Sequence, residues 1–414
     1  MQWLTTTRTR RLRRTPRRVE FFQGTLGDTT EFDDARIFDT TLRDGEQSPR
    51  TSFSYDDKRE IAAVLGEMGT HVIEAGFPVN SDAEFEAVRD IAESTNVTTC
   101  GLARVVEKDV EAALDSGVEM VHVFASTSDI QLEDAMHSDR AEMQERSVNA
   151  VERAAEAGVE VMFSPMDATR TDPEYLFEVI EATSAAGADW INIPDTCGVA
   201  TPTRFGKLIA DVCAHADARV DVHTHDDFGL ASANALAGFE AGAAQAQVSV
   251  NGIGERAGNA AYEEVVMAAE SLYDVDTGID TARITELSRL VEAASDIDTP
   301  GNKPVVGQNA FSHESGIHAA GVIENSDTFE PGVMTPEMVG ASRELVLGKH
   351  TGTHSVRERL VEAGYAPTDD EVRECTRRVK DFGAEKERVT MSVLERFARE
   401  VGIDHESEGA EVNA

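Results

Sequence analysis

The 414-residue chain carries 77 acidic against 38 basic side chains, a net charge of −39. That balance excludes nucleic acid and anionic membranes as partners and fits the halophilic, acidic surface of a protein that works in high salt. Four cysteines, Cys100, Cys197, Cys213 and Cys375, lie far apart with no CxxC pair, so neither a disulfide framework nor a zinc knuckle is indicated and a cytoplasmic location is expected. No apolar run approaches the ~18 residues of a membrane span.

Residues 1–35 read as an N-terminal extension. Its first 18 residues hold seven arginines and no acid; no apolar stretch of signal-peptide length follows, and residues 1–18 are expected to be disordered. From Arg36 to residue 280, short Val/Ile-rich runs alternate with longer, charged, alanine-rich stretches. The candidate strands are RIFDTTL (36–42), HVIEAG (71–76), TTCGLA (98–103), MVHVFA (120–125), VEVMFSP (159–165), WINIPD (190–195), RVDVHTH (219–225) and AQVSVN (246–251). Gly69, Gly117, Gly158, Gly187 and Gly242 stop the intervening helices just before a strand. Eight such units under the right-handed crossover rule predict a (β/α)8 TIM barrel, an α/β fold, over residues 36–280. A doubly wound open sheet has the same local signature. Beyond it the repeat is lost, and residues 281–405 read as a helical C-terminal appendage, with 406–414 a disordered tail.

Alternate side chains of a strand share a face, so His223 and His225 in DVHTHDDFGL project together at the end of the seventh strand. The first strand ends in TLRDGEQ, with Arg43 and Asp44, and the eighth in VNGIGERAGN, with Asn251 at its tip. If the sheet closes, strands 7, 8 and 1 become neighbours, and Asp44, His223, His225 and Asn251 converge at the carboxyl face. This mixed oxygen and nitrogen set suits a divalent metal, with Mn2+, Mg2+ and Zn2+ all admissible. Asp226 and Asp227 are expected to orient the site or begin the next helix.

Other residues carry two readings each. Arg43 is either a surface ion-pair partner or the group facing a carbonyl that becomes an alkoxide. Thr196 either caps the turn after strand 6 or binds a ligand, and His122 either fills the barrel or lines a site. GIGERAGN lacks a dinucleotide fingerprint; its Gly252 and Gly254 suit tight turns and a close approach to a ligand. His318 lies outside the repeat, where a lone histidine is usually structural.

Six ordered stretches, IFDTTLRDGEQSP, EAGFPVNSDAEFEAV, LARVVEKDVEAA, HTHDDFGLASANALAGFEAGA, VNGIGERAGNAAYEEVVMA and NAFSHESGIHAAG, closely resemble the 2-isopropylmalate, citramalate and homocitrate synthase family of metal-dependent barrels. The resemblance implies a Claisen-type condensation: acetyl-CoA loses a methyl proton, its enolate attacks the ketone of a 2-oxo acid, and the thioester is hydrolysed. It assigns Asp44, His223, His225 and Asn251 to the metal and Arg43 to the developing alkoxide. It gives Thr196, His122 and Ser164 to the 2-oxo acid, Gly252 and Gly254 to the acetyl-CoA side, and His318 to proton transfer. A homodimer with part of the site supplied by the partner is implied as well.

Two departures from the family pattern bear on the base: Met166 in SPMD stands where an acid is usual, and Phe329 near a usual tyrosine. Asp167 or Glu314 are alternatives to His318 acting alone or through water. Asp44 in place of glutamate argues against homocitrate synthesis, and GFPV with LAR (102–104) resembles the isopropylmalate version. The expected acceptor is therefore 2-oxoisovalerate, feeding leucine synthesis, with pyruvate (citramalate), a longer dicarboxylic oxo acid (homocitrate) and a non-catalytic metal-binding barrel as alternatives. Because the chain stops at Ala414, leucine inhibition through a further domain is expected to be absent.

Overall fold

All eight Val/Ile-rich runs become parallel strands in the computed structural model of the chain, which describes residues 32, 34–314, 333–385 and 389–405. The expectations for residues 1–18 and 406–414, for His318 and for Phe329 fall outside those residues. The strands are β1 (Arg36–Asp39), β2 (Val72–Gly76), β3 (Thr98–Arg104), β4 (Met120–Ser126), β5 (Glu160–Met166), β6 (Trp190–Asp195), β7 (Arg219–Thr224) and β8 (Gln245–Val248). Each pairs with the next, and β8 returns to β1 with Phe38 opposite Gln247 and Asp39 opposite Val248, so the barrel is closed.

Eight helices follow the strands in turn: α1 (Tyr55–Met68), α2 (Asp82–Ser94), α3 (Glu107–Asp115), α4 (Arg140–Glu156), α5 (Pro173–Ala185), α6 (Pro202–Cys213), α7 (Ala231–Glu240) and α8 (Tyr262–Leu272). Their starts are chemically specified. Ser54 and Asp57 form a reciprocal capping box at α1, Asp139 caps α4, and Asp172 with Pro173 opens α5. Gly69 closes α1 at φ 92°, where a side chain would also meet the Gly278 carbonyl at 3.0 Å.

Inside the barrel, the period of two separates an apolar layer from a polar one. Phe38, Val72, Cys100, Met120, Met162 and Trp190 form a fully buried cluster. Two residues further along come Thr40, just past β1, and Glu74, Leu102, His122, Ser164 and Asn192, a layer polar except for Leu102. The apolar layer is the plug on which the polar layer rests.

Strands 1 and 8 end earlier than the sequence reading placed them. After Asp39 the chain turns sharply, with Arg43, Asp44 and Gly45 N–H groups all donating to the Thr40 carbonyl. After Val248 it turns at Asn251, whose φ is 61°. The unit that holds the barrel runs on through α9 (Ile284–Ser295) to Phe311 and takes in Pro336–Arg343, beyond the boundary at 280 where the strand–helix repeat stops.

Among the described residues the second unit begins at Ser312 and resumes at Glu344. In it α10 (Thr353–Glu362), α11 (Asp369–Ala384) and α12 (Met391–Val401) enclose a core that includes Val356, Leu360, Val372, Cys375, Val379 and Leu394. Ser312–His313 and Glu344–Leu345 pair as a short parallel ladder beside them. Among the described residues no helix is long and apolar enough to cross a membrane.

Candidate functional site

Closure of the barrel gathers Asp44, His223 and His225, all buried, with one potential ligand atom of each within 4.8 Å of the others. His223 Nε2 and His225 Nε2 stand 3.0 Å apart, and His223 Nε2 is 3.8 Å from Asp44 Oδ2. Burial, reinforced by the neighbouring His225, pushes His223 down to about 3, and burial also lowers His225. Both rings are therefore neutral at pH 7, the form that binds a metal. Burial works to raise the Asp44 carboxyl, but Arg43 and the two histidines hold it well below the usual carboxylate range.

Asn251 does not join this group. Its carboxamide turns to α9, with Nδ2 donating to the Ser288 carbonyl at 2.9 Å and Oδ1 accepting from Ser288 Oγ at 2.5 Å. The left-handed turn at Asn251 sends the chain away from the strand direction, and Asn259 comes back in its place. Asn259 Nδ2 donates to Asp44 Oδ1 at 2.9 Å, its backbone bridges to His225, and its buried Oδ1 has no hydrogen-bond partner. Buried His225 Nδ1 has none either. A carboxylate, two neutral imidazoles and an amide oxygen, with two buried polar atoms left over, fit a divalent cation.

The glycines of GIGERAGN make this return possible. A side chain at Gly258 would stand 1.9 Å from the Gly252 carbonyl, and one at Gly254 would stand 2.3 Å from Asn259 Nδ2 and 2.9 Å from Asp44 Oδ1. Gly252 and Gly254 are thus used in seating Asn259.

Arg43 is held by Nε on Glu74 Oε2 and by Nη1 on Asp44 Oδ2, both at 2.6 Å. Glu74 is fully buried and also accepts from Thr40 Oγ1 at 2.6 Å and from His122 Nδ1 at 2.7 Å. Burial would raise its carboxyl, but Arg43 and His122 bring it down to about 2. His122 Nε2 reaches Ser164 Oγ at 2.6 Å, and Ser164 donates to Asn192 Oδ1 at 2.8 Å. Asn192 Nδ2 donates to Asp221 Oδ2 at 2.6 Å, Gln247 Nε2 donates to the same oxygen at 2.9 Å, and Gln247 Oε1 faces His223 Nδ1 at 2.9 Å. The result is a belt of buried hydrogen bonds that runs from Asp44 around the barrel and back to His223.

Sequence reasoning found Arg43, His122 and Ser164 in this belt but missed Glu74, Asn192, Asp221 and Gln247. The available signal was polarity inside Val/Ile-rich runs: each missed residue is a charged or amide side chain at an inward position of a barrel strand.

The belt borders a cavity of about 270 Å³ whose polar wall includes Arg43, Asp44, His122, Ser164, Asn192, Thr196, His223 and His225. Leu102, Phe124, Met166 and Pro194 give it an apolar side. A neighbouring cavity of about 480 Å³ shares Arg43 and Gln47 with it. Thr196 Oγ1 accepts from Asp167 N at 2.9 Å, and its carbonyl accepts from Arg256, which pairs with Asp227 through two 2.8 Å contacts. Asp226 accepts from Ala231 N at the start of α7, so the two aspartates hold the rim and the helix.

The Asp167 carboxylate is taken up by contacts of its own. Its carboxylate is fully buried and accepts from Arg170 and from Ser128. Glu314 lies in the second unit, where Oε1 accepts from His350 N at 3.2 Å.

The model of the family described as HMGL-like matches residues 34–291, and one described as homocitrate synthase post-HMGL domain-like matches residues 305–387. A protein of Methanopyrus kandleri named probable 2-isopropylmalate synthase is 52% identical over 380 residues, 91% of this chain and 76% of that protein. A homocitrate synthase of the same organism is 47% identical over 89% of this chain and 93% of its own length. Among solved structures, the HMG-CoA lyase of Bacillus subtilis superposes with a TM-score of 0.58 at 22% identity, covering 65% of this chain and 96% of that one; it shares the barrel fold.

Proposed function

The chain belongs to the HMGL-like family, and on that premise we propose that it condenses acetyl-CoA with 2-oxoisovalerate to give 2-isopropylmalate and CoA, the first committed step of leucine synthesis. The observation that carries this reading is one cavity wall bearing Asp44, His223 and His225 with Arg43, faced by the apolar side chains Leu102, Phe124, Met166 and Pro194. A small 2-oxo acid with a branched alkyl tail has the same division of polarity. The relatives named 2-isopropylmalate synthase support the choice of acceptor.

A divalent cation, Mn2+, Mg2+ or Zn2+, held by Asp44, His223, His225 and Asn259 would polarise the keto oxygen and fix the acid's carboxylate when bound. The remaining work belongs to the chain. In this reading Thr196 receives the substrate carboxylate and Ser164 and His122 serve the acceptor side, supported by the position of all three in the cavity lining. The acetyl methyl loses a proton, the resulting carbanion bonds to the keto carbon, and the former carbonyl oxygen gains the charge. The Arg43 guanidinium, pinned by Glu74 and Asp44, faces that oxygen without reorganising. Water then cleaves the thioester, releasing CoA and a carboxylate.

Proton removal is assigned to His318, supplied by the partner of a homodimer, since Asp167 is taken up elsewhere. Gly252 and Gly254 are assigned to the acetyl-CoA side. A cytoplasmic, salt-adapted protein completes the reading, in keeping with four free thiols and the charge of −39. The test is thiol release from acetyl-CoA by the purified chain at high salt with a panel of 2-oxo acids. The highest kcat/KM is expected with 2-oxoisovalerate; no thiol release, or a preference for pyruvate, overturns the proposal.

A further inference from the structure

Asp221 sits in β7, two residues before His223, fully buried and away from the cavity wall. Its Oδ2 accepts from two amides on opposite sides, Asn192 Nδ2 at 2.6 Å and Gln247 Nε2 at 2.9 Å. Burial pushes the Asp221 carboxyl up to about 7; with or without a proton on Oδ1, Oδ2 only accepts, so both amides turn nitrogen toward it and oxygen away. The consequence differs on the two sides. Gln247 Oε1 is thereby presented to His223 Nδ1 at 2.9 Å, which requires hydrogen on Nδ1 and leaves the lone pair on Nε2, the nitrogen that faces His225 and Asp44. Asn192 Oδ1 is presented to Ser164 Oγ, which donates its only hydrogen there and must accept from His122 Nε2.

We infer that Asp221 is a positioning residue for the reaction: by fixing the orientation of the Gln247 and Asn192 carboxamides, it sets the His223 tautomer that binds metal and the direction of hydrogen bonding through Ser164 to His122. Asp221 Oδ1 makes no hydrogen bond of ordinary geometry, although the Gln245 side chain and the Val222 N–H also lie near the carboxyl; Oδ2 takes both amides, and a carboxamide oxygen in its place retains them. The inference rests on the metal-site reading above.

The test uses the full chain stripped with chelator and titrated with Mn2+ alone in a calorimeter, alongside its thermal melt. Wild type is expected to take up one Mn2+ per chain. Asp221→Asn keeps the accepting oxygen and is expected to bind within about threefold of wild type, whereas Asp221→Leu frees both amides to rotate and weakens binding by about 10–100-fold. Gln247→Met removes the link to His223 and gives a similar loss, and adding Asp221→Leu to it costs no more than about another twofold. A residue that merely supports the fold lowers the melting temperature, but its effect on metal affinity adds to that of Gln247→Met.

Wild-type affinity in Gln247→Met overturns the inference whether or not Asp221→Leu folds, and so does an additive double variant. Failure of wild type to bind Mn2+ overturns the metal-site reading together with this one. Binding by wild type with unchanged variants overturns only the role of Asp221.

Discussion

Asn259 donates its side-chain N–H to Asp44 Oδ1 at 2.9 Å across 215 positions of sequence, while Asn251, only eight residues before it, is bound to Ser288 instead. The two asparagines therefore separate metal binding from stability. Asn259→Ala is expected to weaken Mn2+ affinity by about 10–100-fold, with a matching fall in kcat/KM. Asn251→Ala loses the Ser288 contacts and puts a Cβ-bearing residue with no local hydrogen bond at φ 61°. It is expected to cost roughly 1–3 kcal/mol of stability with metal affinity unchanged. Isothermal titration and thermal melts of the two variants check this; Mn2+ binding that depends on Asn251 and ignores Asn259 reverses the assignment.

The barrel was legible because its cause is periodic. A Val/Ile-rich run followed by a helix of 9 to 17 residues recurs eight times, and Gly69, Gly117, Gly158, Gly187 and Gly242 punctuate the series, so local noise averages out. Asp44, His223 and His225 were legible for the same reason: they sit at or just past strand ends, where closure alone brings them together. Asn251 misled because its placement required β8 to continue three residues past Val248, whereas the Asn251-Gly252 pair in VNGIGERAGN is itself a turn signal that suits a left-handed asparagine. The return of Asn259 depends on the close approach of Gly258 to the Gly252 carbonyl, a contact between two loop positions that no period encodes. Glu74 and Asp221 were hidden by their neighbours. In HVIEAG and RVDVHTH a single acid inside a Val/Ile-rich run reads as a break in the pattern, and only the closed barrel shows that it faces Arg43 or two amides.

Glu74 links Arg43, proposed to face the developing alkoxide, to His122, proposed to line the acceptor side. Glu74→Gln keeps the shape but removes the charge that holds Arg43 Nε at 2.6 Å, and its nitrogen faces either a guanidinium or the donor side of His122. The expected result is a fall in kcat of about 10²-fold or more, the scale of losing one preorganised electrostatic group, with acceptor KM moved less than kcat. Steady-state kinetics with 2-oxoisovalerate varied at saturating acetyl-CoA measure the split. A variant with normal kcat shows that Arg43 does not depend on this carboxylate.

Asp39 makes the pH dependence testable away from the site. It is fully buried in β1, and burial pushes it up to about 7, against the Thr41 N–H and hydroxyl that donate to it. With the folded value above the unfolded one, its contribution is fully present below the unfolded pKa of about 4. It is lost as pH rises through about 7, because the unfolded chain releases the proton first. Asp39→Asn cannot ionise, and its nitrogen donates to Thr41 Oγ1. The melting temperature of the variant relative to wild type is therefore expected to climb between pH 4 and 7 and then level off, by a few kcal/mol in stability at most. A difference that stays flat over that range shows that Asp39 ionises in the folded protein as it does in water.

Met166 is expected to set the size of the acceptor. It ends β5 at the apolar side of the 270 Å³ cavity with Leu102, Phe124 and Pro194, and its side chain has no polar claim on the substrate. A hydrophobic wall discriminates by roughly 1–3 kcal/mol per methylene. Shortening it by Met166→Ala is therefore expected to raise kcat/KM for unbranched 2-oxo acids one or two carbons longer, relative to 2-oxoisovalerate, by about 10-fold or more. Metal affinity should stay as in wild type, since Met166 does not touch Asp44 or the histidines. The ratio of kcat/KM for 2-oxohexanoate and 2-oxoisovalerate, measured in both proteins, decides the matter. An unchanged ratio means that the alkyl tail points at another wall of the cavity, and a shift toward pyruvate means that Met166 supports the branch of the natural acceptor instead of limiting its length.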